Sequence, residues 1–99
     1  MTIWKYPLNG YYEQSIEMPR DAKILAIQLQ DGAPVLWAEV NPHRLLKDRR
    51  VFHFIATGAE FEGSCLEYVA TVQISANYVI HVFEDTFKRE EINEQKASL

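Results

Sequence analysis

The chain has little of the residue types that mark several specialised classes of protein. Its 99 residues include one cysteine, four glycines and four prolines. A single cysteine, Cys65, excludes an intramolecular disulfide framework and is typical of a reducing compartment. No apolar run is long enough to span a bilayer, and the start of the chain lacks the charged region and apolar stretch of a signal peptide. We therefore expect a cytoplasmic protein with no membrane partner.

Basic residues are also scarce relative to acidic ones. Ten Lys and Arg stand against fourteen Asp and Glu, for a net charge of −4. Sequence-independent binding to DNA or RNA depends on neutralising phosphates with Lys and Arg, so duplex nucleic acid is an unfavoured partner. An acidic protein with one basic loop is more typical of binding to a protein or a small anion. The charges cluster in a basic stretch at Arg44, Lys47, Arg49 and Arg50 and an acidic stretch at Glu60, Glu62 and Glu67.

What the chain does contain is a clear β-hairpin pattern over residues 23–40. Two alternating apolar runs flank Asp31-Gly32, a pair that suits a two-residue type I′ turn because both central residues need φ > 0. The predicted register pairs Ile27 with Leu36, Leu25 with Ala38 and Lys23 with Val40. One face of this hairpin would then be a continuous apolar surface of Leu25, Ile27, Leu29, Leu36, Ala38 and Val40.

The opposite face of the same hairpin is unexpectedly apolar, since it carries Ile24, Ala26, Val35 and Trp37. An antiparallel sheet with one solvated face is normally more polar there. Two explanations remain open. Another layer of the protein covers this face, or the face is an exposed patch used for binding or self-association.

Seven candidate strands without helices between them predict an antiparallel all-β fold, because parallel strands need long crossovers. The expected architecture is a small antiparallel β-sandwich or a partly open barrel formed by a single domain over residues 1–84. Residues 85–99 are predicted to form a C-terminal extension, helical or frayed. The spacing of Glu84 with Lys88 and of Asp85 with Arg89 supports a helix there by i,i+4 pairing.

No group of residues in the sequence indicates a catalytic chemistry, a metal site or a cofactor site. His53, His81, His43 and Cys65 have no ligand spacing typical of zinc, and sheet-face histidines are expected to pair with a hydroxyl or a carboxylate. Acidic neighbours disfavour the Cys65 thiolate as a nucleophile. Phosphate-binding glycine loops and dinucleotide motifs are also missing from the sequence. We therefore expect a protein that is not an enzyme and has no cofactor.

Several motifs occur together and in order, namely WKYPL from Trp4, AKIL from Ala22, DG at Asp31, LWA from Leu36, LEYV from Leu66 and HVFE from His81. This pattern resembles a family of small domains of unknown function encoded by bacteriophages and prophage regions of bacteria. The resemblance extends to Glu84. It implies a phage accessory protein in the cytoplasm of the bacterial host cell, and it supplies no catalytic residues.

The resulting hypothesis is a non-enzymatic protein that binds and modulates or inhibits a host protein, such as a component of antiviral defence. We also expect self-association, for example as a homodimer. The alternative is a protein that binds or sequesters a nucleotide or another anion through the basic stretch, with Tyr11, Tyr12 or Phe61 stacking on the ligand. The residues predicted for the partner or self-association surface are Ile24, Val35, Trp37, Glu60, Glu62 and Glu67, and those predicted for the anion are Arg44, Lys47, Arg49 and Arg50.

Overall fold

The computed structural model describes residues 1–92, which form seven strands and two antiparallel sheets. The first sheet has the order β1-β4-β3 and the second has the order β2-β5-β7-β6. Both sheets are open, so the predicted all-β fold is confirmed as a two-sheet sandwich rather than a barrel. Among the described residues no helix is long and apolar enough to cross a membrane. The strands are β1 (Thr2–Pro7), β2 (Tyr12–Pro19), β3 (Lys23–Gln30), β4 (Ala33–Val40), β5 (Lys47–Ala56), β6 (Leu66–Ser75) and β7 (Tyr78–Ile92).

The hydrophobic core lies between the two sheets and draws side chains from both. Alternate residues of β4 face inward, as period-two alternation requires, and these are completely buried. The central strands of the second sheet contribute the opposite side of the core. The fully buried core residues are Leu36, Ala38 and Val40 from the first sheet and Met18, Phe52, Ile80 and Val82 from the second.

The β3–β4 hairpin turns at Asp31-Gly32, as predicted. Both residues have positive φ, 52° at Asp31 and 82° at Gly32, which is the backbone of a two-residue type I′ turn. Ile27 lies opposite Leu36, in the predicted register, and both side chains are buried. The turn sequence alone therefore determined the pairing nearest to it.

Further from the turn the predicted register is wrong, because β3 contains a β-bulge. The pairing shifts between Ile24 and Ala26, so Ile24 lies opposite Ala38 and Lys23 lies opposite Glu39. One extra residue in a strand moves the following side chains to the other face. Ile24 consequently packs against the core, whereas Leu25, predicted to be a core residue, is 44% exposed.

The predicted extension after Glu84, helical or frayed, is also wrong over residues 85–92, where β7 continues as a strand to Ile92. Its last residues pair with the start of β5, so that Arg49 lies opposite Glu90 and Lys47 opposite Ile92. Three of the charges that suited i,i+4 pairing contact other strands instead. Glu84 pairs with Arg50, Asp85 lies 2.9 Å from His53, and Lys88 lies 3.1 Å from Glu13. The rest of the predicted extension, residues 93–99, lies outside the described residues.

Candidate functional site

A cleft of about 700 Å³ opens beside β5, at the end of the second sheet where β2 begins. Tyr12, the first residue of β2, lies opposite Phe54, so Ile55 and Ala56 of β5 extend past it. The segment between β5 and β6 and the last part of β7 complete the walls. The aromatic lining residues are Tyr11, Tyr12, Phe54, Phe61 and Tyr78, and the charged or titratable ones are Glu13, His53, Glu60, Glu62 and Lys88.

A chain of polar contacts runs along one wall of this cleft. The Lys88 ammonium lies 3.1 Å from Oε2 of Glu13, and this same oxygen lies 3.6 Å from Nε2 of His53. Nε2 of His53 in turn lies 2.9 Å from Oδ2 of Asp85. Because Glu13 is opposite His53 in the β2–β5 register, neighbouring strands hold these two side chains next to each other.

Asp85 is the last residue of this chain of polar contacts, and backbone hydrogen bonds hold its carboxylate in place. Its Oδ1 accepts hydrogen bonds from the backbone N–H groups of Phe87 and Lys88, at 3.1 and 3.0 Å. Burial raises the pKa of Asp85. The pKa is lowered more strongly by the hydrogen bond from His53, the hydrogen bond from the Lys88 N–H, the charge of His53 and the hydrogen bond from the Phe87 N–H. The pKa of Asp85 therefore lies below the usual 3.8. These contacts hold an ionised carboxylate next to Nε2 of His53.

Aromatic rings stand at the mouth of the cleft with much of their surface in solvent. Tyr11 is 67% exposed, Tyr12 is 88% exposed and Phe61 is 51% exposed. Phe61 also packs against Phe83, with ring centroids 5.4 Å apart, which fixes one wall. Tyr12 has a φ of 53°, a conformation that is strained for a bulky residue. The three aromatic residues predicted for stacking on a ligand therefore lie together at one cleft.

Two of the three predicted acidic residues also line the cleft. Glu60 and Glu62 are exposed on the segment between β5 and β6. The hydroxyl and the backbone N–H of Ser64 both donate to Glu62, at 2.7 and 3.0 Å, and these hydrogen bonds lower the pKa of Glu62. The third residue, Glu67, lies on β6 opposite Glu84 and is not part of the cleft lining.

The predicted apolar face around Trp37 is not one continuous surface. Ile24 packs towards the core because of the bulge, and Val35 is only 5% exposed. Trp37 is half-buried on the outward side of the first sheet, and the ammonium of Lys5 lies 6.0 Å from its ring centroid. Of these three residues, Trp37 is the one that lies on the outward side of the sheet and is not fully buried.

The basic stretch does not converge on a single point. Arg44 lies 3.5 Å from Asp21, and Arg49 lies 2.7 Å from Glu90. Lys47 begins β5 and is opposite Ile92. Because strand residues alternate between faces, the neighbours Arg49 and Arg50 point to opposite sides of the second sheet.

Arg50 is enclosed in the protein rather than displayed on a loop. It is 7% exposed and forms a two-point ion pair with Glu84, with nitrogen–oxygen distances of 2.7 and 2.6 Å. Its remaining terminal nitrogen donates to the backbone carbonyl of Ala22 at 2.8 Å. An anion at this position would have to displace a buried carboxylate.

The two mid-strand histidines have the partners predicted for them. His53 pairs with the carboxylate of Asp85, as described above. The ring nitrogens of His81 lie 2.7 Å from the Thr57 hydroxyl and 2.9 Å from the Thr71 hydroxyl. Cys65 is an exposed free thiol. Within residues 1–92 no group of three His, Cys, Asp or Glu side chains has an arrangement that would hold a metal ion.

Two polar residues of the cleft, Glu13 and Lys88, were missed by sequence reasoning, as was Asp85, which contacts His53. They come from distant parts of the chain and meet only through the pairing of β2 with β5 and of β5 with β7. The alternation of each strand shows which residues share a face, but not which strand lies next to it. Assigning residues 85–92 to a helix also removed Asp85 and Lys88 from the sheet.

Fold and site together define a small two-sheet antiparallel β protein with an acidic cleft lined by aromatic residues. The chain belongs to the family described as "Domain of unknown function (DUF7352)", whose model matches residues 1–93. The family match therefore continues past Glu84, where the predicted domain ended. No curated protein and no solved structure matches the chain.

Proposed function

We propose that the protein is a non-enzymatic phage accessory protein that binds a protein of the bacterial host and modulates or inhibits it, for example in antiviral defence. The observation that carries this proposal is the cleft, where exposed aromatic rings stand beside Glu13, Glu60 and Glu62. Aromatic residues are enriched at protein interfaces because each ring covers a large area with few rotatable bonds. The carboxylates favour a partner with a basic surface, since complementary charges speed association and select the partner.

The test is native mass spectrometry of the tagged protein, purified gently from bacterial host cells. We expect one host protein to be retained at a fixed ratio. Glu60→Gln plus Glu62→Gln plus Tyr12→Ala should abolish this retention, because the three changes remove charge and ring surface from the cleft. Raised salt should release the host protein as well, since exposed charges are screened.

The matched control is Glu17→Gln plus Glu91→Gln, which removes two exposed carboxylates outside the cleft. This control should retain the host protein as the unchanged chain does. Equal capture by the cleft variant and the unchanged chain would contradict the proposal, as would a partner whose amount varies between preparations.

Self-association is a separate proposal that the same spectra test. Trp37 lies on the first sheet, whereas the cleft belongs to the second. Trp37→Ala should therefore change the protein's own oligomeric state without releasing a host protein from the cleft. An unchanged oligomeric state in a folded Trp37→Ala variant would contradict an interface on this face.

The alternative, a small-ligand binding protein, is favoured by one observation, the grouping of Tyr11, Tyr12 and Phe61 at one cleft. Its predicted anion site is less well supported, because Arg44, Arg49 and Arg50 each lie against a carboxylate. A discrete small-molecule mass retained in the native spectrum would favour this alternative over the host-protein proposal.

A further inference from the structure

We propose that the cleft binds the guanidinium group of an arginine side chain on the partner protein, at the place beside Glu13 that the Lys88 ammonium occupies in the free protein. This inference rests on the proposed function and names the chemistry that its cleft recognises. It depends on three features, namely the charge of the walls, the contact between Lys88 and Glu13, and the exposed aromatic rings.

The charges that line the cleft favour a cation. Glu13, Glu60 and Glu62 contribute three carboxylates, and Lys88 contributes one ammonium. Asp85 lies behind His53 and adds a further negative charge to the same wall. A volume of about 700 Å³ is well within the range that accommodates a ligand or a large side chain. An incoming cation would therefore meet a net negative site with enough room for it.

Lys88 shows where a cation fits. Its ammonium lies 3.1 Å from Oε2 of Glu13, and the two side chains are 50% and 47% exposed. Half-exposed pairs of this kind add little to stability, since both ions remain solvated and held by long flexible side chains. Lys88 also lies in the part of β7, residues 86–89, that the β5–β7 register skips. A partner cation can replace the ammonium without disturbing a strand pairing.

The aromatic rings account for a preference for arginine over lysine. A guanidinium is planar, stacks on aromatic faces and can bind a carboxylate through two parallel hydrogen bonds, whereas an ammonium acts as a point charge. Tyr11, Tyr12 and Phe61 present ring surface at the mouth of the cleft. Stacking of a cation on such a ring adds to the charge attraction. The combination of rings and carboxylate therefore suits the guanidinium group best.

The test is an NMR titration of the full-length protein with a blocked peptide, Gly-Ser-Arg-Ser-Gly, following the ring signals of Tyr11, Tyr12 and His53. Two further peptides replace the arginine with lysine or with citrulline, which has the same shape but no charge. We expect the citrulline peptide to bind at least about tenfold more weakly than the arginine peptide, and the lysine peptide to fall between them.

Two cleft variants should change the affinity for the arginine peptide in opposite directions. Glu13→Gln removes the carboxylate and should weaken binding about tenfold. Lys88→Met removes the competing ammonium while keeping an unbranched apolar stem, and should strengthen binding severalfold. Glu17→Gln, an exposed glutamate on the same strand but outside the cleft, is the matched control and should change the affinity less than twofold.

Four results would overturn the inference. These are the absence of a saturable shift at millimolar arginine peptide, equal binding of the citrulline peptide, equal or tighter binding of the lysine peptide, and weaker binding to Lys88→Met. The citrulline comparison uses the unchanged protein, so it does not depend on the folding of any variant. If the peptide fails but a host protein is still captured through the cleft, only this inference fails. If the peptide binds but no host protein is captured, the proposed function fails and the cation site stands.

Discussion

At the scale of single residues, the surroundings of a charged side chain decide its role. Arg50 and Glu84 are 7% and 5% exposed, and each neutralises the other through two short contacts. Burial of a lone charge is strongly unfavourable, but the desolvation of a hydrogen-bonded pair is offset by its mutual attraction. The cleft carboxylates have the opposite character, because Glu13, Glu60 and Glu62 remain exposed. Glutamate is thus part of a buried ion pair at position 84 and part of the exposed surface at positions 13, 60 and 62.

Tyr6 carries a buried hydroxyl that has no hydrogen-bond partner among the described residues. Burial also raises the pKa of this hydroxyl. An unpaired buried polar atom is destabilising, so Tyr6→Phe should raise the free energy of unfolding by about 1 kcal/mol. Urea unfolding followed by fluorescence measures the change.

Tyr78→Phe is the control, because the Tyr78 hydroxyl donates a hydrogen bond to the Gly10 carbonyl at 3.3 Å. Loss of this hydrogen bond should lower the free energy of unfolding by about 1 kcal/mol. Equal effects of the two changes would contradict this account.

Asp85 should make the protein sensitive to acid. Its pKa is lower in the folded protein than the usual 3.8. The carboxylate therefore stabilises the fold fully above that value, and this contribution is lost as pH falls below 3.8 and through the folded pKa. Asp85→Asn should be less stable than the unchanged chain at neutral pH and should lose less stability on acidification. Urea unfolding at a series of acidic pH values tests both expectations.

The control for the acid measurement is Asp31→Asn, which removes an exposed carboxylate in the β3–β4 turn. It shows how far the loss of one negative charge alone changes the stability curve. Parallel curves for Asp85→Asn and the unchanged chain would mean that Asp85 does not contribute to acid sensitivity.

At the scale of strands, irregularities decide which side chains face the core. The register shifts in β3 at Leu25, between β5 and β7 near Arg50, and twice in β6. Each shift changes the face that the following residues occupy. The shift in β3 brings Ile24 to the core. The shift near Arg50 leaves residues 86–89 without partners in the β5–β7 register, and Lys88 in this segment contacts Glu13. Simple alternation predicts long regular strands, so it misses such positions.

The β3–β4 turn should depend on the glycine at position 32. Its φ of 82° lies in the left-handed region, and an added Cβ would meet no atom within 4 Å. Gly32→Ala should therefore destabilise the protein through backbone strain alone, by about 1–2 kcal/mol. Gly63→Ala is the control, because a Cβ there would make an ordinary 3.7 Å contact with Phe61. Thermal unfolding compares the two, and equal melting temperatures would contradict a requirement for glycine in the turn.

At the scale of the whole molecule, most strand pairs join distant parts of the chain. β1 pairs with β4, β2 with β5 and β5 with β7, whereas β3–β4 and β6–β7 are hairpins between neighbours. The alternation of apolar and polar residues in a strand shows which residues share a face. It does not show which other strand lies beside it, because many strands have compatible alternation. These distant pairings set the strand order of the two sheets. They also bring together the buried pair of Arg50 with Glu84 and the chain of polar contacts from Lys88 to Asp85.

Part of this structure could be predicted from the sequence because it depends on interactions between residues that are close in the chain. The all-β fold with seven strands and the type I′ turn at Asp31-Gly32 followed from alternation and φ preference. The strand register around Leu25, the strand over residues 85–92 and the meeting of Glu13 with Lys88 did not follow. These features depend on packing and hydrogen bonding between segments far apart in the chain. Such contacts have no local signal, because their free energy is gained only when both sheets are assembled.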